Sequence, residues 1–347
     1  MKKSFFLAAA AALAMTSCSN DEMTDINNGN AIGFRAATQT RATETTTANL
    51  ENFFVTAFKG TTEYFSDEFT KDGSYFTSET AHYWPGDNSE LSLFAYSPEK
   101  EKLNGLSITN SGITLSNFSP ASEISDQVDF ITATATGKKS ENEATGVELT
   151  FNHMLSQIEV RAKNTNEGYV CKVVGVRIGK PVSKGSFINE WQFGTSPEKS
   201  NYEATCTEAT LNGEAVSLMG EGGNAMLIPQ QLTAWNSEND QQNDAEGAYL
   251  AVKIQIETPN GVRLYPAKGD YDWAAVGIDT KWEAGKKYIY TLDFSKGAGN
   301  VDPEKPEPSD PDDPFDPGDP ILGNPIIFVN VTVTPWTPVD EENVELK

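Results

Sequence analysis

Apolar and polar residues alternate with a period of two along this chain, and the cleanest stretch is the last one. Ile327, Val329, Val331 and Val333 alternate with Ile326, Phe328, Asn330 and Thr332 over residues 326–334, with no breaker. Period two marks a strand with two distinct faces. The pattern returns at Leu91, Leu93 and Ala95, at Leu250, Val252, Ile254 and Ile256, and at Tyr288, Tyr290, Leu292 and Phe294. Shorter runs lie at Phe53 to Phe58, Ile113 to Leu115 and Val128 to Thr132. Turn signals separate them: Lys71-Asp72-Gly73-Ser74, Trp84-Pro85-Gly86-Asp87 and Asn260-Gly261. No window of ten or more residues in the body carries helical spacing. The class is therefore all-β. Short strands with turns at this spacing argue β-sandwiches, and 347 residues leave room for two.

Ahead of the last strand lie residues 302–320, with seven Pro, eight acids and one Lys. Like charges repel and proline rings favour extended conformations, so this segment reads as a stiff, solvated tether that buries no core. A strand on such a tether can reach a sheet edge on its own domain or on another molecule. The run Asp310-Pro311-Asp312-Asp313-Pro314 lacks the spacing of a calcium loop and reads as linker. Across the chain 50 acids face 26 bases, a net charge of −24. That excludes a nucleic-acid footprint and argues against docking on anionic lipid through protein charge.

A polar break at 137–145 marks a domain boundary. Beyond it Val147, Leu149 and Phe151 open the second unit, and Val174, Val176 and Ile178 continue it. In the run between, Ile158, Val160 and Ala162 face a core while Gln157, Glu159, Arg161 and Lys163 face water. The predicted organisation is a signal peptide over 1–17, an N-terminal segment over 18–45, and β-sandwiches over 46–146 and 147–347. The second sandwich includes the acidic linker 301–325 and a terminal strand over 326–336.

The first residues are a targeting segment. Lys2 and Lys3 precede an apolar stretch from Ser4 to Met15 that is short for a bilayer span. Met15-Thr16-Ser17-Cys18 resembles a bacterial lipobox, which implies a lipid on Cys18. One acyl chain anchors marginally and several anchor stably. A plain secretory signal with an incidental cysteine is the alternative. Ser19-Asn20-Asp21-Glu22 resembles the surface-export signal of Bacteroidetes lipoproteins. Residues 19–48 are polar, with one apolar island at Ala31-Ile32-Gly33-Phe34. Arg35 and Arg41 are the only bases between Lys3 and Lys59. In a polar stretch they are open to a trypsin-like protease, or are simply solvated. Cys171 and Cys206 fit either a disulfide in an oxidising compartment or free thiols, Cys171 lying in a strand pattern.

Catalytic chemistry has little to work with. The two histidines, His82 and His153, read as structural. No nucleophile elbow, zinc-protease helix or phosphate loop is present. Gly220-Glu221-Gly222-Gly223 is a connection before Met226, Leu227 and Ile228, since the strand–loop–helix setting of a dinucleotide fingerprint is missing. No catalytic residue, metal site or cofactor is predicted. Six tryptophans could stack sugars, though in sandwiches most cap cores. A surface glycan-binding lipoprotein of a polysaccharide uptake system is the alternative function, and it requires an exposed aromatic platform.

These pieces together resemble the fimbrillin-like proteins of Bacteroides and relatives, the type V pilins. The resemblance is carried by Cys18 in its lipobox, Ile32-Gly33-Phe34-Arg35, Thr40-Arg41-Ala42, Tyr83-Trp84-Pro85 and Leu91-Ser92-Leu93-Phe94-Ala95-Tyr96. It continues through Leu149 to Ser156, Leu227-Ile228-Pro229-Gln230, Trp282 to Tyr288 and Val333-Thr334-Pro335-Trp336. It implies two tandem transthyretin-like sandwiches and a lipoprotein carried to the outer membrane. It also implies removal of the first strand, around Ile32 and Phe34, by an arginine-specific protease. The cut matches Arg41 best, with Arg35 second. A donor strand from a neighbouring fimbrial subunit, carrying Ile327, Val329, Val331 and Val333, would fill the vacated groove in a head-to-tail homo- or hetero-polymer. A nine-residue strand spans about 30 Å. The acidic linker is longer than the resemblance implies for a stalk subunit, so stalk and tip roles both stay open.

Overall fold

The computed structural model describes residues 31–37, 50–73, 75–236, 247–305, 314–323 and 328–335. The alternating runs form strands throughout, and the described helices are single turns such as Lys139–Asn142. The first sheet has eight strands. Their spatial order is Asn152–His153, Ile131–Gly137, Leu91–Ser97, Asn52–Lys59, Thr62–Asp72, Tyr75–Thr77, Phe34–Ala37 and Val147–Thr150. The two ends of that order are consecutive in the chain, separated by Phe151 alone. The sheet therefore curls until both edges meet on one segment. Inside it lie Phe34, Phe53, Phe69, Phe76, Trp84 and Phe151.

This closure corrects the predicted boundary after residue 146. Val147, Leu149 and Phe151 do not open a second unit; they complete the first core. The polar break forms one helical turn, and Gly146 at φ +68° turns the chain back. A Cβ at Gly146 would stand 2.9 Å from the Gly33 carbonyl oxygen. Glycine thus permits the approach in which the Val147 N–H donates to that oxygen at 3.0 Å. The strand predicted at Val128 to Thr132 begins later, at Ile131.

Two further sheets enclose the largest core. In one, Ser156–Lys163 and Lys286–Asp293 pair in parallel, flanked by Val216–Ser217 on one side and Phe328–Pro335 on the other, with Ala225–Leu227 also on Ser156–Lys163. The other sheet runs Tyr202–Thr210, Val170–Gly179, Tyr249–Glu257, Asp272–Gly277 and Asn300–Val301, with Arg263–Tyr265 added on Tyr249–Glu257. Their shared core includes Ile158, Val160, Val176, Ile254, Tyr288 and Tyr290. Two expectations fail here for local reasons. The register of Val170–Gly179 shifts between Val173 and Gly175, so the core face passes from Cys171 and Val173 to Val176 and Ile178 and leaves Val174 outside it. A bulge adds one residue and flips the alternation. Gln157 and Glu159 are also buried, because their strand is central.

A fourth sheet joins the halves of the chain. Leu106–Thr109 and Gly112–Phe118 come from the first half, Gly185–Ile188 and Glu190–Gln192 from the second, and Gly112–Phe118 pairs with Gly185–Ile188. Beneath it Tyr96, Leu115, Phe118 and Phe130 pack with Leu155, Met226 and Ile228.

The acidic segment departs furthest from expectation. Its described parts, 301–305 and 314–323, are pinned to the body rather than solvated. Asp302 is 3 % exposed and accepts from Arg177 Nη1 at 2.5 Å. Glu304 pairs with Lys180 and accepts from Asn201, and Lys305 Nζ lies 3.2 Å from Asp272. Phe315 packs edge-on against Tyr265 at 5.1 Å, and Ile321 is fully buried. Composition averages over nineteen residues, whereas docking needs only a few with partners.

Candidate functional site

The leading strand Phe34–Ala37 lies between two others. It pairs antiparallel with Tyr75–Thr77 at Phe34 and Phe76, and parallel with Val147–Thr150 from Phe34–Val147 to Ala37–Thr150. Just before it the Ile32 N–H donates to the His82 carbonyl at 2.7 Å. Ile32 is 4 % exposed and Phe34 not at all. The Phe34 ring stands edge-on to Phe69 at 4.6 Å and to Phe53 at 6.2 Å. Burial of two such side chains stabilises by roughly 1.5–3 kcal/mol each. Removing the strand would expose that apolar lining and leave backbone donors and acceptors unpaired on both flanking strands.

The terminal strand Phe328–Pro335 is held differently. It pairs antiparallel with Lys286–Asp293 along its length, from Phe328–Asp293 to Pro335–Lys286. Its other edge has no partner strand among the described residues. Val331 packs partly against the core, while Val333 is 38 % exposed. The contrast is plain: the leading strand lies between two strands with Ile32 and Phe34 buried, and the terminal strand is paired along one edge alone among the described residues.

Of the residues singled out from sequence, Cys18, Arg41, Trp336 and Ile327 lie outside the described residues, as does the Val329 side chain. Arg35 sits within the leading strand, with its backbone opposite Glu148. His82 and His153 hold structural carboxylates: His82 Nε2 lies 2.8 Å from Asp67, and buried His153 Nδ1 lies 2.9 Å from Asp129. Both cysteines are free. Burial pushes the Cys171 thiol up to about 12. Among the described residues no group of three or more His, Cys, Asp or Glu is placed to hold a metal.

No described tryptophan is exposed: Trp84, Trp235 and Trp282 are buried, and Trp191 and Trp273 are half-buried. A cleft of about 830 Å³ has Phe187, Trp191 and Phe193 in its lining, but the Trp191 indole N–H is already donated to the Met154 carbonyl at 2.7 Å. No described tryptophan supplies an exposed platform of the kind glycan binding requires; the exposed aromatic rings among the described residues are Tyr64, Tyr83 and Phe193. Sequence reasoning missed the clamp on the acidic segment. Arg177 donates to Glu203 at 2.7 Å and to Asp302, and its guanidinium lies over Trp273, 4.4 Å from the ring centroid. An arginine within an apolar strand and an isolated Phe315 among prolines were the available signals.

Residues 22–336 match the fimbrillin-like family. The chain belongs to that family. Fimbrillin-like proteins are structural and non-enzymatic, in keeping with the poor catalytic inventory. Among relatives, this fimbrillin-like chain is 25 % identical over 193 residues to the fimbrium subunit Fim1C of Phocaeicola vulgatus, covering 46 % of this chain and 50 % of that one. It thus spans about half that relative's length. Among solved structures it is similar to a fimbrial protein from Bacteroides vulgatus ATCC 8482, with TM-score 0.60 and 16 % identity, over 88 % of this chain and 99 % of the other. That likeness is one of fold.

Proposed function

We propose that this chain is a structural subunit of a cell-surface fimbria, assembled head-to-tail with other fimbrial subunits by donor-strand exchange and supporting adhesion. It would be exported as a lipoprotein through Cys18, anchored in the outer membrane, and matured by an arginine-specific cut. We assign it two tandem transthyretin-like sandwiches, with the boundary moved to the turn between His153 and Ser156. The observation that carries the reading is the asymmetry between its two end strands. The leading strand fills a sealed groove that proteolysis would open, and the terminal strand sits on a sheet edge. Arg41 is preferred to Arg35 as the cut site. A protease needs an extended, unpaired segment, and the backbone at Arg35 is tied into a sheet. A heterologous contact of this kind repeats into a filament instead of closing.

Replacing Arg41 by Ala should leave precursor that does not polymerise under electron microscopy, while Arg35→Ala should polymerise. Normal filaments from the double replacement would remove the proteolytic step. Truncation before residue 326 should give monomers that cannot chain, and persistent ladders on a mild-detergent gel would remove the terminal strand as donor.

A further inference from the structure

The leading strand and the residues just before it bury two side chains two residues apart, Ile32 and Phe34, with Ala36 packed less tightly beyond them. The same spacing stands at the other end of the chain. Ile326 and Phe328 are two residues apart, followed by Asn330 at the position corresponding to Ala36. Strand alternation places Ile326, Phe328 and Asn330 on one face and Ile327, Val329, Val331 and Val333 on the other. In the resting chain Val331, of the second set, packs partly against the core opposite Tyr290. The Phe34 site is built for a ring, lined by Phe53 and Phe69 and opposite Phe76 in the register. Phe328 is the one phenylalanine in residues 324–347. A valine in a phenylalanine site leaves a void, because a packed core relaxes only partly around lost atoms.

We infer, resting on the strand-exchange reading, that the terminal strand enters the vacated groove in the register and direction of the strand it replaces, with Ile326 in the Ile32 pocket and Phe328 in the Phe34 pocket. The partner it recognises is a second copy of this chain. It runs parallel to Val147–Thr150 and antiparallel to Tyr75–Thr77, with Phe328 opposite Phe76 and Val147. The longer set, Ile327, Val329, Val331 and Val333, then faces away from the groove. The face that carries Val331 is thus not the one that enters the neighbour. Donor and removed strand carry the same key, so a chain whose groove holds its own leading strand also holds the terminal strand of its copy. That makes the chain a repeating unit rather than a terminal one.

The test uses the full chain cut at Arg41, with growth followed as detergent-resistant ladders. Synthetic peptides of residues 324–336 serve as competitors. The natural peptide and its Val329→Ala form should cap growth at similar concentrations, and the Phe328→Ala form should need about tenfold more or worse. In the full chain Phe328→Ala should shorten the ladders and Val329→Ala should not. If the Phe328→Ala and Val329→Ala peptides cap equally, or Val329→Ala is the weaker, the face assignment fails while strand exchange stands. If no peptide caps and both full-chain variants polymerise normally, strand exchange itself fails. If the natural peptide caps but the purified chain grows only after a different subunit is added, the second copy is not the partner.

Discussion

Glu159 shows how a single charged side chain is made tolerable inside this fold. Its side chain is 8 % exposed, and Arg161 Nε and Lys287 Nζ approach it at 2.6 and 2.9 Å. Burial alone would push its carboxyl up, but the hydrogen bonds from the two bases outweigh it and hold the group below the ordinary 4.5. A depressed folded pKa stabilises in full above the unfolded value, and that contribution is lost as pH falls through the folded value. Urea midpoints measured from pH 7 downward should therefore fall below about pH 4.5, and Glu159→Gln should flatten that limb while standing about 1.5–3 kcal/mol lower at pH 7. Cys171 gives a second residue-scale expectation. It is fully buried, and burial raises its thiol to about 12. Native-state alkylation read by peptide mapping should label half-buried Cys206 first and Cys171 only on unfolding. A Cys171–Cys206 crosslink on a non-reducing map would contradict the free-thiol arrangement.

The acidic segment behaves as an element with footholds. The Val301 N–H donates to the Asp319 carbonyl at 2.8 Å, Gly318 to Val301 at 3.0 Å and Ile321 to Gly299 at 2.9 Å. Hydrogen exchange at those three amides should be slow, in contrast to a solvated tether. Asp302→Ala leaves Arg177 without its buried partner. Removing one member of a buried pair costs about 3–5 kcal/mol. That variant should lower the denaturation midpoint and speed exchange at residues 301–305. The footholds also bound the donor's reach. Ile321 is buried and the first residue assigned to the neighbouring groove is Ile326, so four residues separate the last anchor from it. They span about 15 Å when extended. A neighbouring groove must lie that close unless Ile321 lets go.

At the scale of the molecule, the four-stranded sheet pairs strands from the two halves of the chain. Phe187 and Trp191 come from the second half and pack against Phe130 and Phe118 of the first, at 6.2 and 5.7 Å. Calorimetry should show a single transition. Replacing both Phe187 and Trp191 by Ala removes large apolar contacts at the junction, at about 3 kcal/mol or more, and should split the transition in two. The all-β class and most strands were legible from alternation, because period two is a property of neighbouring residues. So were the structural roles of His82 and His153, and the apolar island that became the leading strand. The misreadings share a cause. The phase of Val174 was hidden by a bulge, and the burial of Gln157 and Glu159 by strand position within the sheet. The docking of Asp302 and Ile321 was hidden by composition. Each depends on what lies across the sheet, often more than a hundred residues away. By itself the sequence determined which segments are strands and which residues could seal a core. Only the tertiary structure decided that Val147–Thr150 closes the first sheet, that the leading strand is sealed and that the terminal strand pairs with Lys286–Asp293, because pairing is a contact between distant residues and alternation along one strand does not name its neighbour.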